Sequence, residues 1–94
     1  MEKNFSIELI IFQKQPFCRL ATDAQYASPT EVDLRFLRNL FDITQVDVAK
    51  ITGTNWNKKG SSTVAKWEVT RNKHDHRQIP YSAWRLLLIT LEVV

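Results

Sequence analysis

The chain is poor in the residues that define several protein classes. Its one cysteine, Cys18, excludes an intrachain disulfide scaffold. Two glycines and three prolines exclude collagen-like and low-complexity chains. No apolar run approaches the ~20 residues that cross a bilayer; Leu86-Leu87-Leu88-Ile89 is the best on offer. No glycine-rich phosphate loop is present, and no His–acid partner pattern accompanies Cys18, so a buried thiol is expected there rather than a nucleophile. His74-Asp75-His76 matches no zinc spacing and reads as a solvated loop. The start, Met1-Glu2-Lys3-Asn4, carries an acid and is followed by an apolar stretch of only Leu9 to Phe12, which is not a signal peptide. These absences lead us to expect a cytoplasmic protein that is not an enzyme, with no cofactor, no metal, no membrane segment and no small-molecule substrate.

What remains is one domain's worth of chain. Its 94 residues are 44% hydrophobic and 24% charged, near globular averages and against disorder. A fold of this size buries only about 60–65% of its unfolded surface. The formal charge of +3 is less informative than its distribution. Residues 1–49 hold five basic and seven acidic side chains, whereas residues 50–77 hold seven basic and two acidic. The basic segment also interleaves Trp56, Trp67, His74 and His76. A polyanion is its natural partner, a solvated basic face its bland reading.

Local patterns divide the chain into elements. Phe5, Ile7, Leu9 and Ile11 alternate as one face of a strand over 5–12, with a turn at 13–16 and a returning strand over 17–22. Residues 23–28 are polar and loop-like. Ser28-Pro29-Thr30-Glu31 reads as a helix start, with Ser28 as cap and Glu31 completing a capping box. The helix that follows, 29–41, gathers Val32, Leu34, Phe36, Leu37, Leu40 and Phe41 on one arc. Thr44, with Asp47 three residues on, caps a second helix that ends at Gly53, where a left-handed residue is wanted. A loop at 54–60 precedes a third helix from Ser61 or Ser62 through Glu68. Residues 70–79 are a basic loop, and Ile79-Pro80 opens a fourth helix. Its stripes, Tyr81/Trp84/Leu87/Leu88/Leu91 and Leu86/Ile89/Val93, predict burial on two sides. No internal repeat is visible.

Two short helices with small Ala49 in the first and Gly53 at its end suggest a helix-turn-helix. Val64 and Trp67 would face the core, leaving Ser61, Ser62, Ala65 and Lys66 outward, as on a helix that enters a major groove. Three blocks carry a resemblance: Leu34-Arg35-Phe36-Leu37-Arg38, then Thr44 to Gly53, then Ser62-Thr63-Val64-Ala65-Lys66-Trp67-Glu68. The stretch from Asp33 to Glu68 resembles the Cro/C1-type (XRE-like) helix-turn-helix family, and Ile79 to Leu88 is similar to the ending of small phage and conjugative-element regulators. The chain departs from that pattern between Gly53 and Val64, where the turn is longer by about five residues.

The expected fold is mainly α: a four-helix helix-turn-helix domain over 29–94, preceded by an N-terminal β-strand or hairpin extension over 1–28, a candidate dimerisation element. The resemblance implies binding of double-stranded DNA, as a homodimer on an inverted-repeat operator, often with repression. By position it puts Gln45 on phosphate, and Ser61, Ser62, Ala65 and Lys66 toward bases. Lys and Ser suit phosphate oxygens and base edges, and an alanine methyl can meet a thymine methyl. Lys58, Lys59, Arg71, Lys73 and Arg77 are read as backbone contacts, and Asn55, Asn57 and Thr63 complete the candidate set. Trp67 and Trp84 read as core; Trp56 reads equally as a stacking side chain or as docked on its own domain. The competing functions are a protein-interaction module, such as the antitoxin of a toxin–antitoxin pair lending a strand to its partner's sheet, and an RNA-binding protein.

Overall fold

The computed structural model describes residues 7–94, and the described chain is mainly helical. Its helices are α1 (Ile7–Gln13), α2 (Glu31–Phe41), α3 (Gln45–Thr52), α4 (Ser62–Glu68) and α5 (Tyr81–Thr90), with a 3-10 turn at Pro16–Cys18. Among the described residues no strand forms, and no helix is long and apolar enough to cross a membrane.

The expected N-terminal β extension is therefore corrected over residues 7–22, while its Phe5 and Ser6 lie outside the described residues. A lone strand would leave its N–H and C=O groups unpaired, and Pro16, which has no N–H, opens a 3-10 turn where the partner strand was expected. A helix satisfies its own backbone. It buries Leu9 and Phe12, spaced i,i+3, and leaves Ile7 and Ile11 exposed. Phe12 and Phe17 then join Trp84, with centroids 6.3 and 5.7 Å from its ring. Trp84 is fully buried, and its indole N–H donates to the Phe17 carbonyl at 2.8 Å.

The caps follow the predicted chemistry with one shift of position. Thr30, not Ser28, caps α2, and Asp33, not Glu31, closes the capping box. Thr44 and Asp47 form the same box on α3. Gly53, at φ 71°, sits in the left-handed region and ends α3 as expected. Two expected faces are corrected. Val32 and Phe36 of α2 are exposed, and so are Leu86 and Ile89 of α5, which buries one side only, through Trp84, Leu87 and Leu88.

α3 lies against both α4 and α5, and α2 lies against α4. One apolar core runs from Leu9 to Val93 and includes side chains of every helix.

The structure also contains an internal repeat, at an offset of 50 residues. The turn bonds Asp23 N to Leu20 O and Tyr26 N to Asp23 O recur as Lys73 N to Thr70 O and His76 N to Lys73 O. The C-terminal bond of α2, Ile43 N to Arg38 O, recurs beyond α5 as Val93 N to Leu88 O. Asp42 at φ 54° and Glu92 at φ 58° take the same left-handed position. The contacts cross between the halves. Arg35 donates to the Glu68 carbonyl and Arg85 to the Cys18 carbonyl, both at 2.8 Å. Ala21 N donates to the Tyr81 hydroxyl, and Arg71 N to the Glu31 carboxylate. Each half's long helix thus holds the other half's loop, which is an approximate two-fold relation.

Two outcomes follow. Trp84→Phe orphans the Phe17 carbonyl and opens a small void, so it lowers unfolding free energy by about 2–3 kcal/mol; the urea midpoint falls with the m-value unchanged, and a shift under 0.5 kcal/mol contradicts the assignment. Hydrogen bonds from the Thr44 N–H and hydroxyl hold the Asp47 carboxyl below its ordinary range. Its stabilisation is complete above about pH 4 and is lost as pH falls through the depressed value. The stability gap between the parent and Asp47→Asn accordingly narrows from pH 6 to pH 3, as read by urea melts at each pH.

Candidate functional site

The basic segment folds into three pieces around α4: the connection before it, the helix itself, and the loop behind it. α4 is anchored from inside. Val64 is fully buried, and Trp67 and Glu68 are nearly so. The buried Glu68 carboxylate accepts from Arg38 Nε at 2.8 Å and Nη2 at 3.0 Å, a bidentate pair, and from Gln45 Nε2 at 3.1 Å. Arg35 takes the Glu68 carbonyl. One acid at the end of α4 therefore fixes that helix against α2 and against the first residue of α3.

The other face of α4 is open. Ser62 and Lys66, one turn apart, are exposed, and Thr63 and Ala65 are half-buried at its margins. Ser61, expected to face outward, is buried. Its hydroxyl accepts from Val64 N at 3.2 Å as the α4 cap, and donates to the Asn55 carbonyl at 2.8 Å. A cap side chain must turn back over its own helix start, which is why Ser61 is spent structurally.

Residues 54–60 form the expected loop, closed at Asn57–Gly60 into a short hairpin by one isolated bridge. Asn57 and Gly60 exchange both backbone hydrogen bonds, at 2.9 and 3.0 Å, and the Asn57 side chain accepts from Lys59 N at 2.8 Å. Gly60 sits at φ 139°, a conformation that side chains rarely adopt. Trp56 is half-exposed, with the Lys50 ammonium 4.7 Å from its ring centroid. Between the hairpin and α4 lies a hollow of about 400 Å³ lined by Gln45, Asn55, Trp56, Asn57, Lys59, Gly60, Ser61, Ser62 and Ala65.

Behind α4, the loop 69–80 is tied down. Arg71 pairs with Glu31 at 2.9 Å and donates to the Pro29 carbonyl and to Gln78. Arg77 donates to the carbonyls of His74 and His76, and His76 Nδ1 donates to the Val69 carbonyl at 2.7 Å. Lys73 is exposed.

Of the expected site residues, then, Gln45, Asn55, Asn57, Lys59, Ser61, Ser62 and Ala65 meet at one hollow, and Lys58 and Lys66 flank it. Thr63 is half-buried on α4 and does not line it. Arg71, Lys73 and Arg77 lie on the loop beyond the C-terminal end of α4, with both guanidiniums engaged within the chain. Trp56 was left open by the sequence and belongs to the hollow. The Arg38–Glu68–Gln45 network was missed; its one signal was an acid four residues after buried Val64 and beside buried Trp67. Cys18 is remote from all this. Its thiol is buried against the Phe12 carbonyl, and burial pushes its pKa up to about 11.

Comparison with family models, with curated proteins and with solved structures finds no match to this chain.

The network gives a test of what sets α4. Glu68→Gln leaves Arg38 charged and short of its partner. Because about a fifth of the Arg38 side chain reaches water, the expected loss is about 2–4 kcal/mol, at or below the range for broken buried pairs. Arg38→Met combined with Glu68→Leu restores at least half of it in urea unfolding.

Proposed function

We propose that the chain is a sequence-specific, double-stranded DNA-binding regulator in which α3 and α4 are the two helices of a helix-turn-helix. It acts in the cytoplasm, without a catalytic role, as a repressor of the Cro/C1-type (XRE-like) kind. The observation that carries this reading is the division of α4 into two faces. Val64, Trp67 and Glu68 lock one side into the core, and the side chains of Ser62 and Lys66 stand on the other, in no hydrogen bond or ion pair among the described residues. A helix so held presents donors to a groove without the cost of ordering it on binding. Lys66 suits guanine O6/N7, Ser62 a phosphate or a base edge, and Ala65 a thymine methyl.

The seven-residue α4 spans too few base pairs to specify a site alone. Two copies on an inverted repeat supply the rest. An apolar surface suited to pairing is present: Ile7, Ile10 and Ile11 of α1 are exposed, as are Leu86 and Ile89 of α5 and Val94. The Gln13 side chain donates to the Val93 carbonyl at 3.0 Å, which joins the ends of these two helices. The strand-lending antitoxin reading is not carried forward, because residues 7–13 are helical.

Selection of bound sequences from a random duplex library yields a palindromic consensus. Lys66→Ala weakens binding to that consensus by about 1–3 kcal/mol and relaxes preference at one position of each half-site. A variant that binds as tightly and as selectively as the parent would falsify the placement of α4 in the groove.

A further inference from the structure

We propose that the 54–60 hairpin is a second DNA-contacting element: the hollow between it and α4 receives one sugar-phosphate strand of the duplex, and Lys58 and Lys59 neutralise its phosphates. This rests on the duplex-binding reading above and adds to it a site that α4 alone does not provide.

The hairpin is built and held. Thr54 N donates to the Ala49 carbonyl, the buried Ser61 hydroxyl donates to the Asn55 carbonyl, and Asn57 and Gly60 close the tip. Such a segment presents its side chains in one arrangement and loses little freedom on binding. Its tip residues, Lys58 and Lys59, are exposed, and neither is among the ion pairs of the described residues.

The lining of the hollow states the ligand chemistry. It holds amides, hydroxyls and one ammonium, and no carboxylate. Of the three acids closest in sequence to its wall, Asp47 is engaged by Thr44 and Glu68 by Arg38 and Gln45, and Asp42, at the C-terminal end of α2, is not part of the lining. An anion with many acceptor oxygens fits such a lining; an apolar helix or a lipid chain does not. Trp56 supplies the apolar element, a half-exposed ring that a deoxyribose can cover. Ser62 and Ala65 belong at once to the hollow and to the margin of the exposed α4 face. A strand in the hollow therefore runs beside the base pairs that α4 faces.

The test is the salt dependence of binding to the selected consensus duplex. Each phosphate contact contributes about 0.9 to the slope of log K against log salt. Lys58→Ala with Lys59→Ala makes that slope shallower by about two for each copy bound, or about four for two copies on the palindrome, and leaves the consensus unchanged, while Lys14→Ala, on the far segment, leaves it as in the parent. Trp56 is the one tryptophan of the three with a half-exposed ring; Trp67 and Trp84 are buried. Duplex binding therefore changes the tryptophan emission of the parent and leaves that of Trp56→Phe nearly constant. Gly60→Ala gives a second variant: its added Cβ meets nothing within 4 Å, but the backbone there is strained, so it distorts the hairpin and reduces the slope with the core intact. If the parent binds the duplex and Lys66→Ala loses selectivity, yet the lysine pair leaves the slope unchanged, the hairpin is no contact and this inference alone falls. Preference for the single strand over the duplex also overturns it. A parent that binds no duplex overturns the reading beneath it.

Discussion

The arrangement of the molecule depends on one buried ion pair. Glu68 ends α4, and its carboxylate is taken from three sides by two residues on two other helices. Burying an acid is costly unless its oxygens are fully met. Here a bidentate Arg38 and the Gln45 amide meet them, so there is one relative placement of α2, α3 and α4 at which the acid is satisfied. An apolar contact at the same point would tolerate sliding; a fork on a carboxylate does not. The direction in which Ser62 and Lys66 point is therefore set from the opposite side of the helix. Gln45 shows the same economy, because one of its ends serves this network while the residue also lines the hollow.

The approximate two-fold explains why so short a chain closes a core. Each long helix is held by the loop of the other half through an arginine at the same position, Arg35 on Glu68 and Arg85 on Cys18. The halves differ in the side chains that the shared backbone carries. The position of Cys18, a buried thiol, is that of Glu68, a buried acid. The turn of the first half carries Arg19 paired with Asp23, and the corresponding turn of the second carries Arg71, Lys73 and His74. The same backbone thus serves once as scaffold and once as the positively charged surface around α4.

Much of this was legible because it is local. Thr44, Asp47 and Gly53 bracket α3 with hydrogen bonds and a backbone angle that need no distant partner. Val64 and Trp67 mark a core face at helical spacing. The errors came where the answer lay elsewhere in the chain. Residues 7–12 alternate well enough for a strand, and what makes them helical is the absence of a mate after Pro16 and the presence of Trp84 to receive Phe12. Thr30 and Ser28 are equally good caps by composition; the choice falls to the reach of Asp33. The repeat was invisible because it conserves hydrogen bonds, not side chains. Arg35/Arg85 and Leu37/Leu87 are its identities from 12–43 onto 62–93. Of the site, the hollow was half legible, since its amides and lysines were named, whereas the roles of Trp56 and Ser61 depend on bonds to Lys50 and Asn55.

The division of labour between the two kinds of cation follows from their chemistry. All six arginines donate within the chain: Arg19 and Arg71 to acids, Arg38 to Glu68, and Arg35, Arg77 and Arg85 to carbonyls. A planar fork of donors is suited to fixed acceptors, and a compact, strongly hydrated ammonium to water. The described lysines accordingly stay outside, Lys50 on the Trp56 ring and Lys14, Lys58, Lys59, Lys66 and Lys73 in solvent. The net charge of a segment therefore overstates what a ligand meets. Arg71 and Arg77 raise the charge of residues 50–77 but spend their directed donors on holding the loop, so the charge that a polyanion finds free is lysine. Lys58 and Lys59 lie on the hairpin tip, Lys66 on α4 and Lys73 within the loop behind it. A phosphate strand following that line, as proposed, would meet hydrated ammonium groups, which supply attraction but little discrimination. On the proposed reading, selectivity is left to the α4 side chains between them, which the Glu68 network holds in place.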